Sequence, residues 1–164
     1  MSNQQDSVAR VIKLLQNAFG DNFKTYYDGD PEQIPLFNMP AIIVDQISDE
    51  TTEAAYGQDD VTDQMVVKVV LNKRDDFAGE IDLVNMTAKR LRDIISKRDP
   101  VTHDYFPNTV KGVLRQHLTD DITALAPTMN VDYGIRPRGG GEDFATFTAE
   151  GHVTFSLTYS VNTN

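Results

Sequence analysis

The sequence contains no cysteine. This excludes disulfide bonds, thiol nucleophiles and cysteine-ligated metals, and it gives no sign of an oxidising compartment. No apolar run approaches the roughly 18 residues that a membrane-spanning helix needs. The first residues have neither a basic stretch nor an apolar stretch of the signal-peptide kind. We therefore expect no membrane span and no signal peptide.

Basic residues are missing from one long window. Residues 28–63 contain ten acidic side chains and no Lys or Arg, whereas the remainder holds 15 acidic and 15 basic residues. The formal net charge of −10 is thus concentrated in this window. Such a field bears on partners and solubility, and it disfavours binding to phosphate backbones. The alternative is a long exposed loop that collects carboxylates because it is solvated. The ten acidic residues are Asp28, Asp30, Glu32, Asp45, Asp49, Glu50, Glu53, Asp59, Asp60 and Asp63.

The window lies within a predicted β-hairpin. Residues 41–47 and 64–73 are rich in β-branched residues, and the second run alternates apolar with polar positions. Residues 48–63 between them are too polar to be core, so we predict a long acidic loop. The hairpin would then carry a charged arm.

Three helices are indicated by apolar spacing of three and four. The first is predicted over residues 3–19, with Ser2 and Gln5 as a capping box. The second covers residues 77–98 and ends at Asp99-Pro100. The third, residues 108–119, would turn His117 inward, but Gly112 weakens it and a strand over residues 110–118 is the alternative.

Further strands are predicted over residues 23–27, 129–138, 144–148 and 152–161. With 164 residues and 40% hydrophobic composition, we predict a single domain spanning residues 1–164. The order of elements predicts an α+β fold, with a mainly antiparallel sheet, two or three helices packed on one face and a long acidic hairpin arm.

Catalytic motifs are not evident. The histidines at 103, 117 and 152 lack metal-binding spacing, and Gln33 and Met39 occupy the positions where a calcium loop starting at Asp28 requires Gly and Glu. Glu142 follows the glycines of residues 139–141, where a phosphate-binding loop has Lys. We expect no catalytic residue, no metal and no cofactor, and thus no enzyme.

The layout resembles the tail terminator, or tail completion, proteins of long-tailed bacteriophages. The resemblance rests on an N-terminal amphipathic helix followed by four patterns, and it covers about residues 5–98 and 143–162. Residues 99–142 look longer than in compact members. The patterns are FNMPAIIV at 37–44, MVVKVVL at 65–71, KRDD at 73–76 and VTFSLTY at 153–159.

The resemblance implies a structural virion protein of the tail or neck. Members form rings, typically homohexamers, that cap the tail tube, stop its polymerisation and dock it to the head-completion or connector protein. DNA passes through the ring without specific binding, and assembly occurs in the host cytoplasm. Acidic arms lining such a channel would let DNA slide, since counterion release drives DNA adhesion to basic surfaces.

Two groups of residues are candidate contact sites. The acidic hairpin is assigned to the ring lumen or to contact with a neighbouring subunit. The loop that follows the predicted strand at residues 129–138 is assigned to partner docking. The hairpin group is Asp49, Glu50, Glu53, Asp59, Asp60 and Asp63, and the docking group is Arg136, Arg138, Glu142 and Asp143.

Three alternatives remain open. Another neck or connector protein of similar fold would share these features. An acidic DNA-mimic inhibitor would be a monomer or dimer, with carboxylates spread along its surface. An enzyme with an acidic metal site would bind divalent metal and show a thermal shift. Its ligands would come from Asp28, Asp30, Asp59, Asp60 or Asp63.

Overall fold

The computed structural model describes residues 6–77 and 86–163. In this part of the chain, three helices and six strands follow one another in the order α1, β1, β2, β3, α2, α3, β4, β5, β6. The helices are α1 Ser7–Phe19, α2 Met86–Ser96 and α3 Val110–His117. The strands are β1 Thr25–Asp28, β2 Ala41–Ala55, β3 Gln58–Asn72, β4 Thr123–Leu125, β5 Asn130–Pro137 and β6 Phe147–Asn162.

The six strands form one sheet in the order β1-β2-β3-β6-β4, with β5 also paired to β6. β1 runs parallel to β2, and every other pair is antiparallel. β6 is central, since β3 lies along one side of it and β4 and β5 share the other. The predicted α+β class with a mainly antiparallel sheet is confirmed.

All three helices contribute to one hydrophobic core on one face of the sheet. Val11 and Leu15 of α1, Leu91 of α2 and Leu114 of α3 are buried there against β3 and β6. Alternation along β3 supplies the facing residues, as the sequence predicts. These residues are Met65, Val67, Val69 and Leu71.

The opposite face of the sheet has a second, smaller core. Ile43 of β2 and Val70 of β3 pack there against Ile34, Met39 and Ala145. The two connecting segments that supply these residues meet through the Ala145 N–H, which donates to the Ile34 carbonyl at 2.9 Å. Loops therefore cover the face that the helices leave free.

The helix boundaries differ from the predictions in detail. α1 begins at Ser7 because the Asp6 carboxylate accepts the Ala9 N–H at 3.0 Å. The predicted Ser2–Gln5 capping box lies outside the described residues, as do residues 78–85 of the predicted second helix. Residues Lys73–Phe77 form a 3-10 turn, so the predicted start of that helix at residue 77 is wrong.

The predictions for the ends of α2 and α3 are corrected in part. α2 ends at Ser96, two residues before the predicted end, and the Lys97 carbonyl beyond it accepts the Phe106 N–H at 3.0 Å. α3 is a helix, so the alternative strand is wrong. His117 at its end is exposed, contrary to prediction, whereas the adjacent Leu118 is buried in the core.

Gly112 in α3 is required by a close approach. A Cβ at this position would meet the Phe106 carbonyl oxygen and would lie 2.8 Å from Thr109 Oγ1. Alanine favours helix by about 1 kcal/mol over glycine, but overpacking typically costs about 1–3 kcal/mol. We expect Gly112→Ala to be destabilising in urea unfolding. Gly134→Ala is the control, since a Cβ there meets nothing within 4 Å; equal effects would contradict the packing argument.

The hairpin is where the structure departs most from prediction. β2 and β3 continue through the predicted loop and turn only at Tyr56 and Gly57, where the glycine has φ 76°. β6 pairs with β3 along its whole length, from Asn72 to Gln58. The loop prediction is wrong because the ladder of β6 extends the pairing into a polar sequence.

Candidate functional site

The acidic arm, residues 47–62, is a ribbon of β2 and β3 backed by the end of β6. Pairing register places Asp49, Glu53 and Asp59 on the face that carries the helices further down the sheet. Glu50 and Asp60 lie on the opposite face. The predicted hairpin carboxylates are therefore divided between two faces of one ribbon.

Like charges stand opposite each other on this ribbon. Glu53 pairs with Asp59 across the strands, and Asp49 pairs with Asp63. Directly opposed like charges destabilise a sheet. None of the ion pairs among the described residues includes a carboxylate of the arm. The arm thus presents negative charge that no cation in residues 6–77 and 86–163 pairs with.

Removing one of these charges should stabilise the chain. We expect Glu53→Gln to raise the free energy of unfolding by about 0.2–1 kcal/mol at low salt. The gain should shrink as salt screens exposed charges. Glu50→Gln is the control, because Glu50 faces the neutral Thr62. Urea unfolding at two salt concentrations measures both, and an equal gain for the two variants would refute the pairwise cause.

Asp63 differs from the other hairpin carboxylates. Its residue is only 3% exposed, and its carboxylate accepts hydrogen bonds from Ser7 Oγ at 2.6 Å, Tyr159 Oη at 3.0 Å and Gln46 Nε2 at 3.1 Å. Burial, and then the bond to Asp63, raises the pKa of Tyr159 to about 12. Asp63 therefore ties the start of α1 to the base of the arm. Its prediction as a contact residue of the lumen or a neighbour is corrected.

Arg138 is also internal rather than part of a docking surface. Its side chain is 6% exposed, and its Nε and Nη2 donate to the Glu150 carboxylate at 2.8 and 2.9 Å. Nη1 donates to Asp30 at 2.5 Å. The glycine-rich loop folds back over residues 30–36 and carries Arg138 inward, so the prediction of Arg138 as a docking residue is corrected.

The ion-pair network lies on the loop-covered face of the sheet. Lys68 Nζ donates to the other Asp30 oxygen at 2.9 Å, and His152 Nε2 lies 2.7 Å from Glu150 Oε1. Thr148 also donates to Glu150, which is fully buried. An open pocket of about 250 Å³ is bordered by four residues of this network, namely Asp30, Lys68, Arg138 and His152. Because the cations and carboxylates satisfy one another, the network fixes the fold of two loops.

The remaining predicted docking residues stay on the surface. Arg136, Glu142 and Asp143 are all exposed. The Asp143 carbonyl accepts the Leu36 N–H at 2.9 Å, which holds the loop against the second core. Only Arg136 remains as an exposed cation of the predicted docking group.

Acid should weaken the network. Burial raises the pKa of Glu150, but hydrogen bonds from His152, Arg138 and Thr148 outweigh it and hold the pKa at about 2, below the ordinary 4.5. The stability that Glu150 contributes is therefore fully present above about pH 4.5 and is lost as the pH falls toward 2. Asp30 acts in the same direction: its pKa is lowered by Arg138 and Lys68 although burial opposes this.

The measurement is the urea midpoint between pH 6 and pH 2, where we expect a fall below about pH 4.5. Glu150→Gln should be less stable at neutral pH and should show a shallower fall. An unmodified chain whose midpoint is constant over this range would contradict the prediction.

A basic and aromatic surface was not predicted from the sequence. Around the Tyr105 ring lie Arg98 Cζ at 4.0 Å, Arg115 Cζ at 4.8 Å and Lys111 Nζ at 5.3 Å from the centroid. Lys97 Nζ lies 5.7 Å from the Phe106 centroid. We call Lys97, Arg98, Lys111 and Arg115 the cationic patch. Cation–π contacts of this kind hold the charged groups in place.

The sequence prediction separates the members of the patch. It places Lys97 and Arg98 inside the helix predicted over residues 77–98. Because α2 ends at Ser96, both residues belong to the loop that carries Tyr105. Only the pairing of Arg98 with Tyr105 and the packing of α3 bring the four cations together.

A groove of about 630 Å³ adjoins the cationic patch. Its apolar lining includes Phe19, Phe23, Leu71 and Ile94, and Phe106 joins it to the patch. Arg90, Lys97 and Asp93 line it as well. The groove lies at the end of the sheet opposite the tip of the arm.

Neither a metal cluster nor a membrane-spanning helix is found within the described ranges. No group of three or more His, Asp or Glu side chains there could hold a metal ion. No helix there is long and apolar enough to cross a membrane.

No protein-family model matches the sequence, and a search of curated proteins finds no match to it.

Proposed function

We propose that this chain is a ring-forming structural protein of a bacteriophage tail, a tail terminator that acts without catalysis. The observation that carries the proposal is the acidic arm, a long ribbon whose carboxylates form no ion pair with the described residues. The helix-covered core ends near Met65 and Leu157, so the arm extends beyond it. A folded, charged extension of this kind suits contact with other chains or with a channel.

In this role the arm faces a channel or a neighbouring copy. Negative charge in the lumen of a ring keeps DNA from adhering, because no counterions are released on contact. Ring closure requires two different surfaces of each copy to meet at a fixed rotation. The partners are sister copies, most simply six, the tail tube protein and the connector at the head, and the site of action is the neck of the virion.

The proposal is tested on assembled tails. Native mass spectrometry should show a closed oligomer, and electron microscopy with purified tail tubes should place it at one end of the tube. A phage lacking the chain should make tubes of uncontrolled length. Normal tube lengths in its absence would overturn the tail role.

The charge of the arm has its own test. A phage whose chain has Asp49, Glu50, Glu53, Asp59 and Asp60 changed to the corresponding amides is compared with the unmodified phage. The altered phage should retain DNA during passage, measured as slower DNA release from the virion. Unchanged release would show that the arm does not face the DNA.

A further inference from the structure

The tip of the arm has an exposed anchor. Tyr56, at the turn between β2 and β3, is 93% exposed and is flanked along both strands by acidic residues. Tyrosine is among the residues that most often supply binding energy at protein interfaces, where its ring fills a pocket. The arm thus combines one aromatic side chain with surrounding negative charge.

The groove and the cationic patch have the complementary character. The groove combines apolar side chains with polar ones, among them Arg90, Lys97 and Asp93. Arg98 and Lys111 lie beside Tyr105, next to the groove. Lys97, Arg98 and Lys111 form no ion pair within the described part of the chain. The surface therefore offers a recess lined in part by aromatic rings, with three cations beside it that no described carboxylate pairs with, in a chain of net charge −10.

The arm cannot occupy the groove of its own chain. Leu71 lines the groove, whereas Gln58 adjoins the tip, and both belong to β3. The strand between them spans roughly 40 Å at about 3.3 Å per residue. Arm and groove therefore lie at opposite ends of the sheet, which is the arrangement that head-to-tail association needs.

We propose that the arm of one copy docks into the groove of the next, with Tyr56 in the recess and the arm carboxylates against the cationic patch. This inference rests on the proposed function in that it names the contact between copies of the ring. The predicted docking residue Arg138 cannot accept the arm, because its side chain is buried in its own network.

Charge reversal tests the docking. An arm-reversed chain carries Glu53→Lys and Asp59→Lys, and a patch-reversed chain carries Lys97→Glu and Arg98→Glu. Each alone should associate at least about tenfold more weakly than the unmodified chain, because like charges meet at every interface. An equimolar mixture should regain association, since both of its interfaces pair opposite charges. Sedimentation velocity at low salt measures this.

Three further measurements sharpen the result. Raising salt from about 0.1 to about 1 M, which shortens the Debye length from about 10 to about 3 Å, should weaken association of the unmodified chain. Tyr56→Ser should weaken association without rescue in any mixture. Lys13→Glu with Arg136→Glu, two exposed cations outside the patch, makes the same change in net charge and should leave association unchanged.

Folding is checked by thermal unfolding of each variant. A second patch-reversed chain, Lys97→Glu with Arg115→Glu, keeps the bond from Arg98 to the His103 carbonyl that closes the loop. If both patch-reversed chains fold and associate normally, or if the mixture shows no rescue, the docking is refuted. It is also refuted if the unmodified chain stays monomeric. A patch that binds a DNA oligonucleotide, while its reversal leaves self-association of the chain unchanged, would refute it as well.

The docking and the tail role can fail separately. If tubes grow overlong without the chain, yet the reversed chains assemble and terminate tubes normally, the docking falls and the tail role stands. If tubes have normal length without the chain, yet the mixture regains association, the tail role falls and the docking stands.

Discussion

Replacing Arg138 with Met is expected to lower the free energy of unfolding by about 3–5 kcal/mol, the usual cost of removing one partner from a buried ion pair. Glu150 is fully buried, and Arg138 donates two of the hydrogen bonds that keep it ionised. Without the guanidinium, a buried carboxylate keeps only His152 and Thr148. Urea unfolding at pH 7 measures the loss.

The matched control is Arg136→Met, two positions earlier in the chain and exposed. We expect its effect to stay within about 0.5 kcal/mol, as at other surface positions. Adding Glu150→Leu to Arg138→Met should recover part of the loss, because the uncompensated charge is then gone. Similar losses for the two single arginine variants would show that the network does not stabilise the fold.

Phe155→Ala is expected to cost about 3–5 kcal/mol, as for other buried aromatic residues cut back to alanine. Phe155 is 2% exposed and lies on β6 opposite Met65, in the core that the three helices share. The cavity would open at the central strand of the sheet, where neighbours on both sides are held by the pairing. Thermal or urea unfolding measures the effect.

Phe147→Ala provides the comparison on the same strand. Phe147 begins β6 and is 50% exposed. Because only about half of its side chain is buried, we expect the truncation to lower the free energy of unfolding by about 1 kcal/mol. If Phe155→Ala and Phe147→Ala lowered the free energy of unfolding by equal amounts, the placement of Phe155 in the core would be contradicted.

The core could be predicted from the sequence because it depends on periodicity. The alternation at Met65, Val67, Val69 and Leu71 and the helical spacing in α1 state directly which face is apolar. The α+β class followed from the order of these elements. The length of the hairpin could not be predicted, since the Asp, Glu and Ala residues at 48–63 have weak strand preference. Pairing with β6, which is distant in sequence, decided it.

The candidate site was predicted only in part. The concentration of carboxylates identified the arm, but Asp63 was included because charge patterns carry no information about burial. Its three donors come from α1, β2 and β6, far apart in sequence. The cationic patch was missed for the same reason, since Arg98 and Arg115 meet only across the Tyr105 ring.

The sequence by itself determined which segments bury apolar surface and where the negative charge is concentrated, because both are local properties of residue type and spacing. Tertiary structure alone decided that Arg138 is internal, that Asp63 anchors α1, and that the groove with its cations lies at the far end of the sheet from Tyr56. The physical reason is that a charge is neutralised or left free according to what the fold places within a few ångströms of it, and those neighbours come from other elements.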